Sequence, residues 1–221
     1  MIEKAKNKLS KIQKNGIFPT TLKAFHDHIY NVEHVLLLTR RLDEPFPFRR
    51  IRMNGLEIGL CETTQQREEL CAAYPDRARF FRDYADQGLH VVTGKVNGKI
   101  AGYVWIATKD FYDAHLYKRN FTVDADQVYQ FAGFVDPAFR GKPVALIVMN
   151  WVNNAFLERG FKRTSLAVSS NNTTSVRFHA KSKYVPTGQA FNAYRLLGKR
   201  WSRAIAPRDE ALAQYKPKQR G

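Results

Sequence analysis

The sequence predicts an α/β (α+β) fold, and three observations carry that prediction. The stretch His90–Val96 and the stretch Lys99–Ala107 are both rich in β-branched and aromatic residues and meet at Asn97-Gly98. Asn-Gly tolerates positive φ at both positions, so it closes a two-residue hairpin turn. Residues 143–159 carry Val144, Ile147, Val148, Trp151, Val152, Ala155 and Phe156 on one helical face, with Gly160 placed to end the helix. Strand-like and helix-like segments then alternate to residue 196, which is the pattern of a layered sheet-and-helix domain.

In chain order, residues 1–45 read as a basic helical extension. Ile2, Ala5, Leu9 and Ile12 share one face, ringed by Lys4, Lys6, Lys8, Lys11 and Lys14, with Gly16 as a stop. A weaker helix is expected at 21–30 and a short strand at 35–38. Glu44-Pro45-Phe46-Pro47 interrupts what precedes it. The body is expected over 46–200. It opens with a strand at 57–61 and a helix at 64–73 capped by Thr64. A second helix follows at 75–86, begun by Pro75 and closed by Gly88. After the hairpin, 109–126 reads as a long loop rich in aromatics: Phe111, Tyr112, Tyr117 and Phe121. Strands are expected at 128–135 and 164–169, and a helix at 173–183 capped from Asn171 or Asn172. Two short strands, near Val185 and at 189–196, complete the body. Residues 201–221 form a basic tail with a short helix at 209–215.

Composition narrows the class. At 221 residues, 44% hydrophobic and 13% aromatic, the chain can bury a globular core. No apolar run approaches the roughly 18 residues that a membrane span needs. The opening MIEKAKNKLSKIQKNG has no apolar core of the signal-peptide kind. The two cysteines, Cys61 and Cys71, make neither a disulfide framework nor a C-x-x-C metal motif, so a reduced, cytoplasmic setting is expected. His26-Asp27-His28 cannot present both imidazoles on one helix face, and no metal site is expected. Thirty-six Lys and Arg against 20 Asp and Glu give +16 and a pI near 10.0. That balance points to an anionic partner: nucleic acid, an anionic membrane surface, an acidic carrier protein or a phosphorylated cofactor. No nucleic-acid-binding motif accompanies it.

The chemistry concentrates between Gln130 and Gly188. A strand runs into Asp136-Pro137-Ala138-Phe139-Arg140-Gly141-Lys142-Pro143-Val144-Ala145, which opens the amphipathic helix. A basic, glycine-containing turn at a helix start offers free N–H groups and a favourable dipole to an anion such as pyrophosphate. A strand, Asn171-Asn172, a second helix and Tyr184-Val185-Pro186-Thr187-Gly188 follow.

This order resembles the GNAT superfamily of acyl-CoA N-acyltransferases over about 57–197. Arg140, Val144 and Ala145 fit the family's pyrophosphate loop, with Gly141 and Lys142 between them, and Pro143 stands where glycine is usual. Asn172, His179 and Lys183-Tyr184 fall in the slots of the family's asparagine, its usual tyrosine acid and its Gly-Phe pair. The resemblance implies a mixed, mostly antiparallel central sheet splayed between two parallel strands, with helices on both faces. It also implies acetyl-CoA or another acyl-CoA as co-substrate, a primary amine on a small-molecule acceptor, and transfer by direct attack on the thioester. Phe134 or Val135 would supply an oxyanion N–H, Asn172 would bond the pantetheine arm, and His179 would protonate the leaving thiolate. Gln130, orienting a water, and Tyr129 are candidates on the base side, with Asp126 and Glu62. An acyl carrier protein as donor, or a non-enzymatic basic module on an anionic membrane or nucleic acid, are the alternatives. Nothing in the sequence sets an oligomeric state.

Overall fold

The structure, a computed structural model, describes residues 30–47 and 51–215. The lysine-ringed segment 2–14, residues 21–29 of the helix expected at 21–30 and the His26-Asp27-His28 motif lie outside the described residues, as do residues 216–221 of the tail expected at 201–221. The first described element is β1 (Tyr30–Arg41), a 12-residue strand. β2 (Leu56–Leu60), α1 (Thr64–Ala73), a 3₁₀ turn at Pro75–Arg77 and α2 (Ala78–Asp86) follow. Next come β3 (His90–Val96), β4 (Lys99–Ala107), β5 (Phe111–Asp113), β6 (Arg119–Phe121) and β7 (Gln127–Val135). The chain ends with α3 (Val144–Glu158), β8 (Arg163–Ser169), α4 (Thr173–Lys181), β9 (Val185–Leu196), β10 (Lys199–Ile205) and α5 (Asp209–Ala213).

Local chemistry accounts for most boundaries. Asn97 and Gly98 take φ of 51° and 76°, the pair of left-handed residues that the β3–β4 turn requires. Thr63, one residue before the expected cap, starts α1. Its hydroxyl accepts from the Gln66 N–H at 3.2 Å while the Gln66 side chain accepts from the Thr63 N–H at 3.1 Å, a reciprocal capping box. Asn172 caps α4 through Oδ1, which accepts from the Ser175 N–H at 3.0 Å.

Eight strands form one sheet in the order β10-β9-β1-β8-β7-β4-β3-β2. Only β7 and β8 run parallel; every other neighbouring pair is antiparallel. The sheet is thus mixed, mostly antiparallel and covered by helices on both faces. On one face Leu70 of α1 and Phe81 and Tyr84 of α2 pack against Val91, Tyr103, Trp105 and Phe131. On the other, Val144, Val148, Val152 and Phe156 of α3 meet Val92, Ala101, Ile106 and Val128. Beside them, α4 and α5 bury Val176 and Ala211 against Leu36, Leu38 and Leu166. Each fully buried Val, Leu or Phe contributes on the order of 1.5–3 kcal/mol.

Three expectations change. Residues 30–41, read as the end of an extension, form a strand inside the sheet, paired with β8 on one edge and β9 on the other. The two short strands expected near 185 and at 189–196 are one 12-residue strand, and it pairs with β10 from the segment read as tail. The loop at 109–126 carries its own small hairpin, β5–β6. A buried carboxylate organises that loop: Asp113 is 1% exposed and accepts from the N–H groups of His115, Leu116 and Tyr117 and from the Tyr84 hydroxyl.

Close strand approach sets one further requirement. A Cβ at Gly102 of β4 would stand 2.8 Å from the Phe134 carbonyl oxygen and 3.3 Å from Val144 Cγ1. Gly102→Ala is therefore expected to cost about 1–3 kcal/mol in urea unfolding, as overpacking does. Gly59→Ala, where a new Cβ meets nothing within 4 Å, should stay within about 0.5 kcal/mol of wild type. Equal stability of the two variants would mean that Gly102 is not needed for the β4–β7–α3 packing.

Candidate active site

The site begins where the parallel pair comes apart. β7 and β8 share a ladder only from Gln127↔Arg163 to Gln130↔Leu166. Beyond it β8 stays paired with β1 as far as Ser169, and β7 stays with β4 as far as Val135, so each strand follows its outer neighbour. The β4–β7 register shifts between Tyr103 and Trp105, and Ala132 opposite takes a left-handed φ of 48°. That is the signature of a bulge, which bends the strand carrying it. The opening holds a cleft of about 710 Å³. The cleft reaches from Val144, Ala145, Asn172 and His179 on the α3–α4 side to Phe80, Tyr84, Leu116 and Tyr117 on the other.

At the α3 end, Pro143 stands at the cap with φ of −77° and gives no side-chain cap. The first backbone bond of the helix runs from the Ile147 N–H to the Pro143 carbonyl at 3.0 Å. The N–H groups of Val144, Ala145 and Leu146 precede it and have no intrahelical acceptor, which leaves donors for an anion. Gly141 takes φ of 81°, a left-handed turn that favours glycine. Arg140, Gly141 and Lys142 lie exposed in that turn, ahead of the helix and outside the cleft lining. The N–H groups of Arg140 and Lys142 are used inside the turn, by the carbonyls of Pro137 and Phe139. Their side-chain charges are what remain for a ligand.

Of the other sequence-derived candidates, Gln130, Phe134, Val135, Asn172 and His179 line the cleft. Asn172 uses Oδ1 for its cap, which leaves Nδ2 as its donor. Gln130 is 4% exposed and its Nε2 sits 2.8 Å from Thr164 Oγ1, with Asn153 Oδ1 and the Tyr184 hydroxyl each at 3.3 Å. His179 is half-buried against the rings of Phe178 and Tyr184, and its Nδ1 has no partner. Burial lowers its pKa to about 4, so at neutral pH it is a neutral imidazole. A neutral imidazole is a weaker fit to the expected role of protonating a leaving thiolate than an imidazolium would be.

Tyr129 is not at the cleft. Its side chain points to the aromatic face, with ring centroids 4.9 Å from Phe121 and 5.6 Å from Phe111. Strand alternation puts it on the face opposite Val128, inside the ladder that is still closed. Asp126 is held by Arg163 at 2.6 Å at the closed end of the pair, and Glu62 is exposed; neither lines the cleft.

The residue that sequence reasoning missed is Glu33 of β1. It is the one carboxylate among the described residues lining the cleft, beside Leu116, Tyr117 and Arg200. Burial, and next the charge of Glu33, push the Tyr117 phenol above its ordinary range. The signal was the apolar run Val35-Leu36-Leu37-Leu38, whose flanks extend as strand as far as Tyr30. Arg77 frames the same side: it donates to the Tyr103 hydroxyl at 2.7 Å and lies 4.0 Å from the Phe134 ring centroid. Among the described residues no group of three or more His, Cys, Asp or Glu is placed to hold a metal ion. No helix there is long and apolar enough to cross a membrane.

Comparison with known proteins identifies the class. The acetyltransferase (GNAT) family model matches residues 58–184, more than half of the chain, and the chain belongs to that family. Residues 58–184 are thus an acetyltransferase domain of the GNAT type. Among solved structures, a GCN5-related N-acetyltransferase from Sphaerobacter thermophilus superposes with a TM-score of 0.55 at 14% identity, covering 81% of this chain and 56% of that one. A conserved protein of unknown function from Staphylococcus epidermidis ATCC 12228 gives 0.51 at 13% identity, covering 84% and 64%. A GCN5-related glucosamine N-acetyltransferase region in a fungal multi-domain GH3 β-N-acetylglucosaminidase gives 0.55 at 14% identity, covering 76% and 22%. The chain thus spans less than two thirds of each of these proteins, and at such identities they share its fold alone. No curated protein matches it significantly.

The His179 environment has a measurable consequence. The unfolded chain takes up its proton near the ordinary histidine pKa of about 6.5, the folded chain only near 4. The stability contributed by neutral His179 is complete above the unfolded value and is lost as pH falls from there toward 4. In NMR the His179 imidazole should titrate near pH 4, and His179→Gln should lose less stability than wild type between pH 6.5 and 4. A midpoint near 6.5 would show the ring to be open to water.

Proposed function

We propose that this protein transfers an acyl group from acetyl-CoA or another acyl-CoA to the primary amine of a small acceptor, by direct attack on the thioester. One observation carries the reading: a single cleft crosses the sheet from a helix start with free N–H groups to a pocket holding one carboxylate, Glu33. The phosphates of the donor lie against the start of α3 and the side chains of Arg140 and Lys142. The pantetheine arm runs between the parted ends of β7 and β8, where backbone groups lack a strand partner and Asn172 Nδ2 can donate to it. The thioester carbonyl lies by the β7 bulge, within reach of the Phe134 or Val135 N–H, a fixed donor for the developing oxyanion.

The acceptor enters from the Tyr117 side. Glu33 attracts its ammonium and, directly or through water, receives the proton that the amine must lose. The amine nitrogen bonds to the carbonyl carbon, the tetrahedral intermediate collapses, and the carbon–sulfur bond breaks. The leaving thiol has a pKa near 8.5, so the departing thiolate gains from any hydrogen bond. Neutral His179 offers its N–H to the sulfur instead of acting as an imidazolium acid, and the thiolate takes its proton from solvent or from the amine. Approximation of amine and thioester in a cleft lined by aromatics supplies much of the acceleration. The net charge of +16 favours a phosphorylated donor in general, and it also suits an acidic acyl carrier protein in that role.

Two variants separate the halves of this reading. Arg140→Ala should weaken acyl-CoA binding by about tenfold in calorimetry, the scale of one charge-assisted contact, with the fold unchanged. Unchanged affinity would make the turn a structural feature only. Glu33→Gln should lower kcat by about two to four powers of ten while leaving donor affinity alone, as loss of a general base does. Full turnover in Glu33→Gln would leave proton removal to water alone.

A further inference from the structure

A second cavity lies at the opposite end of the β1–β8 pair. It has a volume of about 490 Å³ and shares no lining residue with the cleft. Its wall includes Arg40 and Arg41 of β1, Arg163 of β8, Lys183 and Tyr184 before β9, and Tyr215 after α5. We propose that this cavity is an anion site that takes the phosphoryl group of a small molecule, separate from the acyl-CoA cleft.

Arg40 is the main observation. It is paired with Thr164 in the β1–β8 ladder and is 2% exposed. Its Nη2 donates to the Glu44 backbone carbonyl, while Nε and Nη1 are buried with no acceptor. No carboxylate stands within ion-pair distance of it among the described residues. A guanidinium cannot shed its charge at neutral pH, and a buried cation without a counter-charge is costly. Arg40 lies 5.3 Å from the Phe46 ring centroid and feels Glu44 and Asp43 only beyond ion-pair distance, so an incoming anion at the cavity wall would supply a close charge and the acceptors that Nε and Nη1 lack.

The surrounding groups point the same way. Arg41 is occupied by Asp43 at 2.6 Å, and Arg163 by Asp126 at 2.6 Å and Asp124 at 2.9 Å. Lys183 stands at the cavity with no carboxylate partner among the described residues, held there by a left-handed φ of 63°. The Tyr215 hydroxyl is buried without a hydrogen-bond partner. Glu44 also lines the cavity; its exposed side chain acts on Arg40 only through its charge, and its backbone oxygen accepts the hydrogen bond. A guanidinium, an ammonium and a phenol from three separate segments suit a tetrahedral oxyanion with acceptors on all sides better than a planar carboxylate.

The test uses inorganic phosphate as probe on the full chain, with sodium chloride and sodium acetate at matched ionic strength. Phosphate should raise the Tm of wild type in a saturable way that chloride and acetate do not reproduce. Arg40→Met and Lys183→Ala should each lose that rise, and Arg140→Ala should keep it. Arg40→Met replaces a buried charge that has no ion pair among the described residues by an apolar chain of similar length and is expected to fold. If it does not, Lys183→Ala at the exposed lip decides, through a loss of at least about fivefold in phosphate affinity. The proposal is overturned by a wild-type Tm that does not respond to phosphate, by an equal response to acetate, or by an unaltered response in Lys183→Ala. Loss of the response in Arg140→Ala alone would assign phosphate to the α3 turn and overturn it too. None of these results depends on turnover, so the acyl-transfer reading stands or falls separately.

Discussion

Everything at the active site depends on two parallel strands that start as partners and then separate. A strand edge left unpaired inside a sheet exposes N–H and C=O groups that must find other acceptors and donors. Here the separation is stable because each strand keeps an antiparallel neighbour on its outer side, β4 for β7 and β1 for β8. The closed end is tied by the buried Gln130 amide, which reaches across to Thr164 and on to Asn153 and Tyr184. Just beyond Gln130, the left-handed Ala132 turns β7 away. The resulting gap lies inside the sheet and leaves backbone groups there that an extended ligand can satisfy as a strand would.

The Glu33 side of the cleft depends on β1. Without that strand β8 would have no outer neighbour, and the cleft would have neither its far wall nor Glu33. Facing it, the loop that carries Leu116 and Tyr117 is held by Asp113, whose carboxylate takes three backbone N–H groups and the Tyr84 hydroxyl. One buried acid thus links α2 to the loop that closes the pocket. A carboxylate with four donors is well satisfied, which explains why an ionisable group can be 1% exposed there. The contrast with Arg40 is informative, because that buried charge keeps two nitrogens without acceptors.

What the sequence by itself determined is local. The hairpin turn needs only the positive φ of Asn97 and Gly98, the apolar stripe of α3 is written at helical spacing, and the Asn172 cap follows from a side chain three residues from its donor. These depend on neighbours a few positions apart, so they are legible without a structure. The order of elements around Arg140 and Asn172 was legible for the same reason, and it carried the family resemblance.

Only the tertiary structure decided where the chemistry meets. β1 pairs with β8 across a separation of more than a hundred residues, so a segment that looked like the end of an extension became the middle of the sheet. Glu33 gained a place at the cleft through that pairing, and Tyr129 lost one because its ladder with β8 is still closed at Ser165. His179 sits where the motif puts it, yet its proton affinity is lowered by the residues packed around it, which no spacing encodes. The physical reason is common to all three. Backbone geometry is set by contacts within one turn, whereas partner, exposure and charge state are set by desolvation and pairing among segments that folding alone brings together.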